Sequence, residues 1–423
     1  MLFSGLGDAI ALYPVYALLF GDTGLSTGQI STLLVFWSVT AMLLEVPSGA
    51  LADRVSRHRL LAVAAVIRGV GFGLWVLVPS YPIFLLGFLL WSVQGALTSG
   101  TVQALVYEGL REHGATSRYN RLVGRAATAE MVGGLLATIA AAPLLALGGY
   151  ELVGLASVSV CLVQAVLAWT WPRPHVVGTA VSETPRPLDG PVTVDRVAHR
   201  AGERAADLVM SPELSGRPGV RAEFAAYLAT LREGLGEVWH HRRLRWLVLA
   251  AGLLPGLMGF DEYLPLLALE VGAERTWVPV LLAVPPFAMA VAGLLTGSRL
   301  TLWPAVPLLL SAVVIGAGAA DGSVAGFVAI GLGLGAFHLT RLILEAAVQH
   351  AVVGSARATV TSVAGFLGEV SAVSVFLSVG VGAQYVPLGV AVTVNAVVIG
   401  LAALLLPLAI RHPHRPTDLA TNE

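Results

Sequence analysis

The stretch that decides the fold runs from Glu45 to Leu61 and reads EVPSGALADRVSRHRLL. A long apolar run ends at this cluster of small, acidic and basic residues, and another apolar run begins directly after it. The charged residues cannot enter the hydrocarbon core without a large free-energy cost, so they stay outside while both flanking runs cross it. The stretch therefore predicts a tight hairpin loop between two transmembrane helices.

The composition of the chain independently places it in a lipid bilayer. Of its 423 residues, 56% are hydrophobic and only 12% are charged, and the mean hydropathy is +0.79. A soluble domain needs more polar surface than this composition supplies. A formal net charge of -1 argues against nucleic acid as a partner, because phosphate contacts need a basic surface. The chain contains no lysine to complete a phosphate-binding loop, so an ATP-driven pump is excluded and no cofactor is expected.

Apolar runs of about 20 residues, the length that crosses the hydrocarbon core, occur twelve times. The sequence thus predicts an all-α membrane protein with twelve transmembrane helices in two six-helix bundles. The predicted helices 1 to 12 cover residues 1–20, 29–52, 58–79, 82–110, 120–147, 150–172, 244–269, 276–297, 300–319, 323–352, 357–380 and 386–410.

One long polar stretch divides these helices into two sets of six. It predicts an amino-terminal bundle over residues 1–172, a cytoplasmic linker over 173–243, a carboxy-terminal bundle over 244–410 and a cytoplasmic tail over 411–423. Near the end of the linker, at about 223–243, apolar residues recur at helical spacing opposite a charged face. This pattern predicts an amphipathic helix on the membrane surface, with a simple stop-transfer cluster of arginines as the alternative.

The placement of arginine predicts the orientation. If the amino terminus is cytoplasmic, the inside loops and the tail are rich in arginine, whereas the outside loops hold only Arg275. Both termini are then cytoplasmic. The exclusive use of arginine among basic residues indicates a GC-rich bacterial genome and hence a bacterial cytoplasmic membrane. The arginines on the inside are Arg54, Arg57, Arg59, Arg111, Arg118, Arg121, Arg125, Arg299, Arg357, Arg411 and Arg415.

The hairpin loop resembles the signature loop between helices 2 and 3 of major facilitator superfamily transporters, with Ser56 where the family usually has glycine. The resemblance implies two pseudo-symmetric bundles that alternate access to a central site. It also implies that the loop gates the cytoplasmic side, with Glu108 as a candidate partner for Arg57. A loop that only fixes topology through its positive charge is the alternative. The matching residues are Gly49, Leu51, Asp53, Arg54, Arg57 and Arg59.

Ionisable residues inside the predicted helices are the next candidates for function. Each costs roughly 2.5 to 3.5 kcal/mol at a helix centre if it is unpaired. Burial favours the neutral form of a carboxyl group, which can then bind a proton near neutral pH. Proton coupling is therefore one interpretation of the buried acids, beside a structural hydrogen bond and contact with substrate. The candidates are Asp8, Glu130, Asp261, Glu262 and Glu369.

Further residues are candidates for the wall of a central cavity, because the family resemblance implies that helices 1, 4, 7 and 10 line it. Trp91 stands where a related family element has arginine. Glu45 and Arg68 lie at similar depths of neighbouring helices and predict a buried structural pair, with substrate binding as the alternative role of Arg68. The cavity candidates are Tyr13, Trp91, Gln94, Phe337, Arg341 and Glu345, of which the last two are spaced to pair on one helix face.

Together these features predict a secondary transporter that works as a monomer in the bilayer, with protons and a small-molecule substrate as its partners. The most specific prediction, which rests on similarity to bacterial drug/proton antiporter-like members of the family, is efflux of a small amphipathic organic compound in exchange for protons. A proton symporter or uniporter for a small nutrient is the first alternative. A non-transporting membrane sensor is an alternative of another class. The sequence offers neither a nucleophile nor a metal constellation, so no enzyme is expected.

Overall fold

The computed structural model describes residues 1–52, 56–171, 242–296, 303–351 and 356–410; within these ranges the side chains at 45–52, 117, 120, 242–244, 349–351, 356–359 and 407–410 are not described. Apart from residues 242 and 243, which begin helix 7, the predicted linker and its amphipathic helix lie outside these residues, as does the predicted tail. The described residues form twelve spans. In chain order they are helix 1, Leu2–Asp8 and Tyr16–Asp22; helix 2, Thr27–Ala52; helix 3, Arg57–Leu77; helix 4, Tyr81–Thr98 and Thr101–Glu112; helices 5 and 6, both within Tyr119–Trp169; helix 7, Arg242–Leu257 and Leu264–Glu270; helix 8, Val278–Leu281 and Val284–Leu294; helix 9, Ala305–Asp321; helix 10, Val324–Ala351; helix 11, Ala356–Gly382; and helix 12, Leu388–Ile410.

The predicted all-α membrane fold is confirmed. Eight stretches of the described chain are long and apolar enough to cross a membrane. One of them, Arg121–Trp169, holds both helix 5 and helix 6, because the chain reverses at Gly148 and Gly149. Gly149 has a φ angle of +60°, which a residue with a side chain rarely adopts. Helices 8 and 9 are shorter apolar helices, and helix 1 is interrupted.

Helices 1 and 7 are broken near their middles, which the sequence reading did not predict. Helix 1a (Leu2–Asp8) and helix 1b (Tyr16–Asp22) are joined by turns at residues 9–15. Helix 7a (Arg242–Leu257) and helix 7b (Leu264–Glu270) are joined by a 3-10 turn. Broken helices at corresponding positions of two repeats mark the binding site in many transporters.

Small residues set these broken helices directly against their neighbours. A β-carbon at Gly133 of helix 5 would clash with the carbonyl oxygen of Gly5 in helix 1a. In the other half, a β-carbon at Gly256 of helix 7a would clash with the carbonyl oxygen of Gly368 in helix 11. Glycine thus permits the close helix approach in both halves.

We call the two ends of the protein the Arg57 face and the Arg275 face, after an arginine at each end. The Arg57 face holds the amino-terminal ends of helices 1 and 3, and the Arg275 face holds the turn between helices 7 and 8. The amino-terminal half (helices 1–6) meets the carboxy-terminal half (helices 7–12) where helix 2 packs along helix 11 and helix 1b touches helix 7b. Near the Arg275 face, Gly28 of helix 2 lies against Gly380 of helix 11, so the halves are closely packed there.

Candidate functional site

A central cavity of about 270 Å³ lies between the two halves. Helix 2 contributes Trp37, Ser38 and Ala41 to its wall, and helices 7, 10 and 11 contribute the rest. The 3-10 turn in the break of helix 7 carries two of the cavity's acids. The charged residues that line the cavity are Asp261, Glu262, Arg341 and Glu369, so three carboxyl groups share it with one guanidinium group.

Hydrogen bonds cross between the halves from the Arg275 face to the middle of the membrane. The Tyr16 hydroxyl donates to Glu262, and the Ser38 hydroxyl donates to Glu369. Closer to the Arg275 face, the hydroxyl oxygens of Ser31 and Tyr263 are 2.7 Å apart. Two of the predicted proton-coupling acids are therefore held by side chains of the opposite half.

A second cavity of about 660 Å³, the carboxy-terminal cavity, lies among helices 7, 10 and 11. Both Glu345 and Glu369 line it, and Glu369 also lines the central cavity. Glu345 lies 3.3 Å from the Nε atom of Arg341, as their spacing in the sequence predicts. Glu369 stands where the two cavities meet.

A third cavity of about 770 Å³, the amino-terminal cavity, is lined by helices 1, 3, 4, 5 and 6. It brings together Asp8, Glu130 and Gln94, which the sequence placed on three different helices. Glu130 interacts with the Ser4 hydroxyl of helix 1a and lies within electrostatic range of Asp8. Both acids therefore face partners of their own half.

An aromatic wall separates the amino-terminal cavity from the central cavity. Trp91 stacks on Tyr13 with ring centroids 4.9 Å apart and an interplanar angle of 8°. On its other side Trp91 meets Trp37 at 4.8 Å. Tyr13 and Trp91 line the amino-terminal cavity, and Trp37 lines the central one. The predicted cavity residue Phe337 is 1% exposed and instead packs in the hydrophobic core.

The Arg57 face carries the signature loop. The Nη1 atom of Arg57 lies 2.6 Å from a carboxylate oxygen of Glu108, so the predicted pairing is present. Arg59 lies over the ring of Trp169, 6.0 Å from its centroid. Asp53 and Arg54 lie outside the described residues, and at Gly49 and Leu51 the structure describes only the helical backbone. The gating role of this loop stays a prediction.

Arg68 makes contacts that the sequence did not indicate. Its guanidinium group donates to the Gly7 carbonyl oxygen at 2.8 Å, the Tyr13 hydroxyl at 3.2 Å and the Gln164 side-chain oxygen at 2.6 Å. These partners lie on helices 1 and 6 of the same half. The side chain of Glu45 lies outside the described residues, so the Glu45–Arg68 pair stays a prediction.

Acidic residues at the Arg275 face were also missed. Asp22, at the end of helix 1b, accepts hydrogen bonds from Arg275 at 2.5 Å and from the Tyr150 hydroxyl at 2.6 Å. Glu270, at the end of helix 7b, accepts from the backbone N–H groups of Leu388 and Gly389 at 3.0 and 3.1 Å. Both acids stand at helix ends, where charge is common, and nothing in the sequence marks their partners.

The spans, the paired helix breaks and the acid-lined central cavity between the two halves are the features of a membrane transporter. A family model described as "Major Facilitator Superfamily" matches residues 1–376, and the chain belongs to that superfamily. It is a multi-pass membrane protein of a family of secondary transporters, and the predicted two-bundle fold is confirmed.

Solved structures agree in fold. The chain is similar to the nucleoside transporter NupG at 12% identity and a TM-score of 0.65, over 97% of this chain and 96% of that one. It is also similar to a bacterial homologue of the human lysosomal transporter Spinster, in an inward-facing and unoccupied conformation. That match has 16% identity and a TM-score of 0.63, over 96% of this chain and 93% of the other. No curated protein sequence matches the chain.

Proposed function

We propose that the protein exports a small amphipathic organic compound in exchange for protons by alternating access. The observation that carries this proposal is the position of Glu369. It stands where the carboxy-terminal cavity meets the central cavity, and it accepts a hydrogen bond from Ser38 of the opposite half. A proton that reaches Glu369 therefore acts on a contact between the two halves.

The chemistry of this contact links protonation to conformation. A hydroxyl group donates a stronger hydrogen bond to an ionised carboxylate than to a neutral carboxyl group. A proton on Glu369 therefore weakens the bond from Ser38 that holds the halves together at this level. By linkage, protonation of Glu369 weakens the closure between the halves. A substrate that binds the Glu369 carboxylate competes with the hydrogen bond from Ser38. Proton and substrate therefore act on the same contact between the halves.

The walls of the cavities support an amphipathic compound. Trp37 and Trp91 present aromatic surface, whereas Asp261 and Glu262 present carboxyl groups in the same region. A ligand with an apolar body and a polar or cationic group fits such a wall, because its rings pack on the aromatic side chains and its polar group finds a partner.

The arginines support the orientation. Arg57, Arg59 and Arg111 belong to the Arg57 face, where the positive-inside rule places the cytoplasm of a bacterial cell. Because the cross-half hydrogen bonds run from the Arg275 face to the membrane middle, the protein in this state is closed toward the outside. Both termini are then cytoplasmic, and a monomer holds the whole central site.

Purified protein in liposomes with a trapped pH-sensitive dye tests the proposal. A panel of nucleosides, amino acids, antibiotics and lipophilic amines is added outside, one compound at a time. Antiport makes the lumen more alkaline as the compound enters, and symport makes it more acidic. A uniporter moves a compound with no proton signal. Alkalinisation that protein-free liposomes lack is the expected result. Entry of a compound with acidification, or with no proton movement, overturns the proposed exchange.

A further inference from the structure

The break in helix 1 leaves backbone groups that a continuous helix would satisfy. In a membrane such groups need partners inside the protein, because the hydrocarbon core offers none. Two side chains from other helices fill this role. The carbonyl oxygen of Gly7, at the end of helix 1a, accepts from Arg68 of helix 3, and the N–H group of Leu12 donates to the Ser157 hydroxyl of helix 6 at 3.0 Å. The broken conformation is therefore built into the amino-terminal half.

Arg68 is the most deeply placed cation at this break. The residue is only 4% exposed, yet it lines the amino-terminal cavity. Gln164 accepts from Arg68, and its own amide group donates to the carbonyl oxygen of Phe3 at 3.1 Å. Arg68 and Gln164 thus hold helix 1a at two levels. A planar guanidinium group suits this task, since it donates several hydrogen bonds in fixed directions.

Arg68 reaches beyond the backbone to the aromatic wall. Besides Gly7, it donates to the hydroxyl of Tyr13, which lies in the turns at residues 9–15. The ring of Tyr13 stacks on Trp91, and Trp91 meets Trp37 at the central cavity. A continuous row of contacts leads from the interior of the amino-terminal half to the central cavity.

We propose that Arg68 is a positioning residue that fixes this aromatic wall by holding the Tyr13 hydroxyl. The role goes beyond the proposed exchange of protons, since it holds for either direction of transport and for any coupling ion. It also differs from a cap of the broken helix. A cap needs only the bond to Gly7, whereas a positioning residue needs the bond to Tyr13.

The variant Tyr13→Phe separates the two roles. It removes the hydroxyl that Arg68 holds and keeps the ring, while the bond from Arg68 to Gly7 remains. If Arg68 positions the wall, the ring of Tyr13 loosens and Trp91 loses its fixed stacking partner. If Arg68 is only a cap, the wall is unchanged.

Near-ultraviolet circular dichroism of purified protein in detergent measures the wall, because this signal reports fixed aromatic packing. The band that disappears in Trp91→Phe is assigned to the wall. We expect Tyr13→Phe and Arg68→Gln to lose most of that band. Arg68→Lys should retain part of it, because an ammonium group keeps the charge but not the fork of donors. Thermal unfolding of each variant is recorded beside the spectrum.

Asn395→Ala is the matched control. Asn395 of helix 12 donates to the carbonyl oxygen of Leu257 at 2.8 Å, and so caps the broken end of helix 7a. This variant should lower thermal stability and leave the Trp91 band intact. An intact band in Tyr13→Phe overturns the proposal, as does an equal loss of the band in Asn395→Ala. If Arg68→Gln does not fold, Tyr13→Phe alone decides between the two roles.

Discussion

Glu130 and Glu369 lie at similar depths of helices 5 and 11, which correspond in the two repeats, yet their partners differ in kind. Glu130 interacts with Ser4 and lies near Asp8, both in its own half. Glu369 accepts from Ser38, which belongs to the opposite half. A proton at Glu130 changes contacts within one half, whereas a proton at Glu369 changes a contact between halves. Equivalent acids in a repeat protein thus need not share a function, because only one of them has to reach the interface.

Removing the charge of Glu369 should affect transport more than any other single change at the interface. Glu369→Gln keeps the size of the side chain and removes its charge, so the interface loses a charge-assisted hydrogen bond worth about 1.5 to 3 kcal/mol. Transport driven by a pH gradient in liposomes should fall at least about tenfold, since 1.4 kcal/mol is a factor of ten. Exchange of labelled for unlabelled compound should persist.

Glu130→Gln is the matched variant in the other half. Its loss of gradient-driven transport should be clearly smaller than that of Glu369→Gln in the same liposomes. Full accumulation by the Glu369 variant excludes this residue as the proton carrier. An equal loss in both variants means that contact across the interface does not distinguish the two acids.

Two serine hydroxyl groups of helix 2 cross the interface at different levels. Ser38→Ala removes the donor to Glu369, and Ser31→Ala removes a neutral hydroxyl contact with Tyr263 that also crosses the interface. Under the proposed exchange a proton on Glu369 weakens the bond from Ser38, so lowering the pH should favour opening at the Arg275 face. We expect Ser38→Ala to reduce this pH dependence severalfold, as befits a bond of about 1.5 to 3 kcal/mol, and Ser31→Ala to preserve it.

Spin labels at Ser26 and Tyr385, exposed near the Arg275 face in opposite halves, measure closure after Cys161→Ser removes the single native cysteine. The distance distribution is recorded across a pH series for native protein and both serine variants. A pH dependence that survives in Ser38→Ala contradicts the role of this bond.

The sequence revealed the acids but not these hydroxyl partners. A carboxyl group stands out in an apolar run because the bilayer makes charge costly. Serine and tyrosine are common in membrane helices, so Tyr16 and Ser38 gave no signal. Their importance comes from the packing of helices that are distant in the chain, which hydropathy does not report.

The helix breaks were missed for a related reason. The thickness of the hydrocarbon core sets the length of an apolar run, which is why all twelve spans were found. The break at residues 9–15 changes neither the length nor the hydropathy of the apolar run that contains it. Pro14 and Pro265 stand at the corresponding breaks, yet proline is tolerated in membrane helices when neighbours satisfy the backbone. The partners at helix 1, Arg68 and Ser157, appear only in the folded protein.

The ends of helices 1b and 7b repeat the contrast at the Arg275 face. Asp22 and Glu270 stand at the ends of the second parts of the two broken helices. Glu270 accepts from the first N–H groups of helix 12, within its own half. Asp22 bonds to Tyr150 in its own half and also to Arg275 in the other. As with Glu369 in the pair of Glu130 and Glu369, one acid of this pair, Asp22, contacts the opposite half.

Asp22→Asn should therefore weaken closure at the Arg275 face, whereas Glu270→Gln should not. The side chain of Arg275 is 61% exposed, so solvent screens the pair and its contribution is at most about 1 kcal/mol. That corresponds to a shift of up to about fivefold in the ratio of closed to open protein. The same spin labels measure it. A larger shift of the closed-to-open ratio in Glu270→Gln than in Asp22→Asn contradicts the expectation that Asp22, and not Glu270, holds the halves together.

The pair of Arg57 and Glu108 should give the smallest effect on this equilibrium. It lies within the amino-terminal half, and its side chains are 28% and 38% exposed, so its net contribution is about 0.2 to 1 kcal/mol. Because both residues move together when the halves rock, Glu108→Gln should lower thermal stability slightly and leave the label distances at the Arg275 face unchanged. Asp53→Asn, in the same signature loop, should instead slow turnover while ligand affinity is kept. If Glu108→Gln shifts the label distances as far as Asp22→Asn does, a contact within one half controls closure. Contact across the interface then no longer distinguishes the residues that control opening and closing.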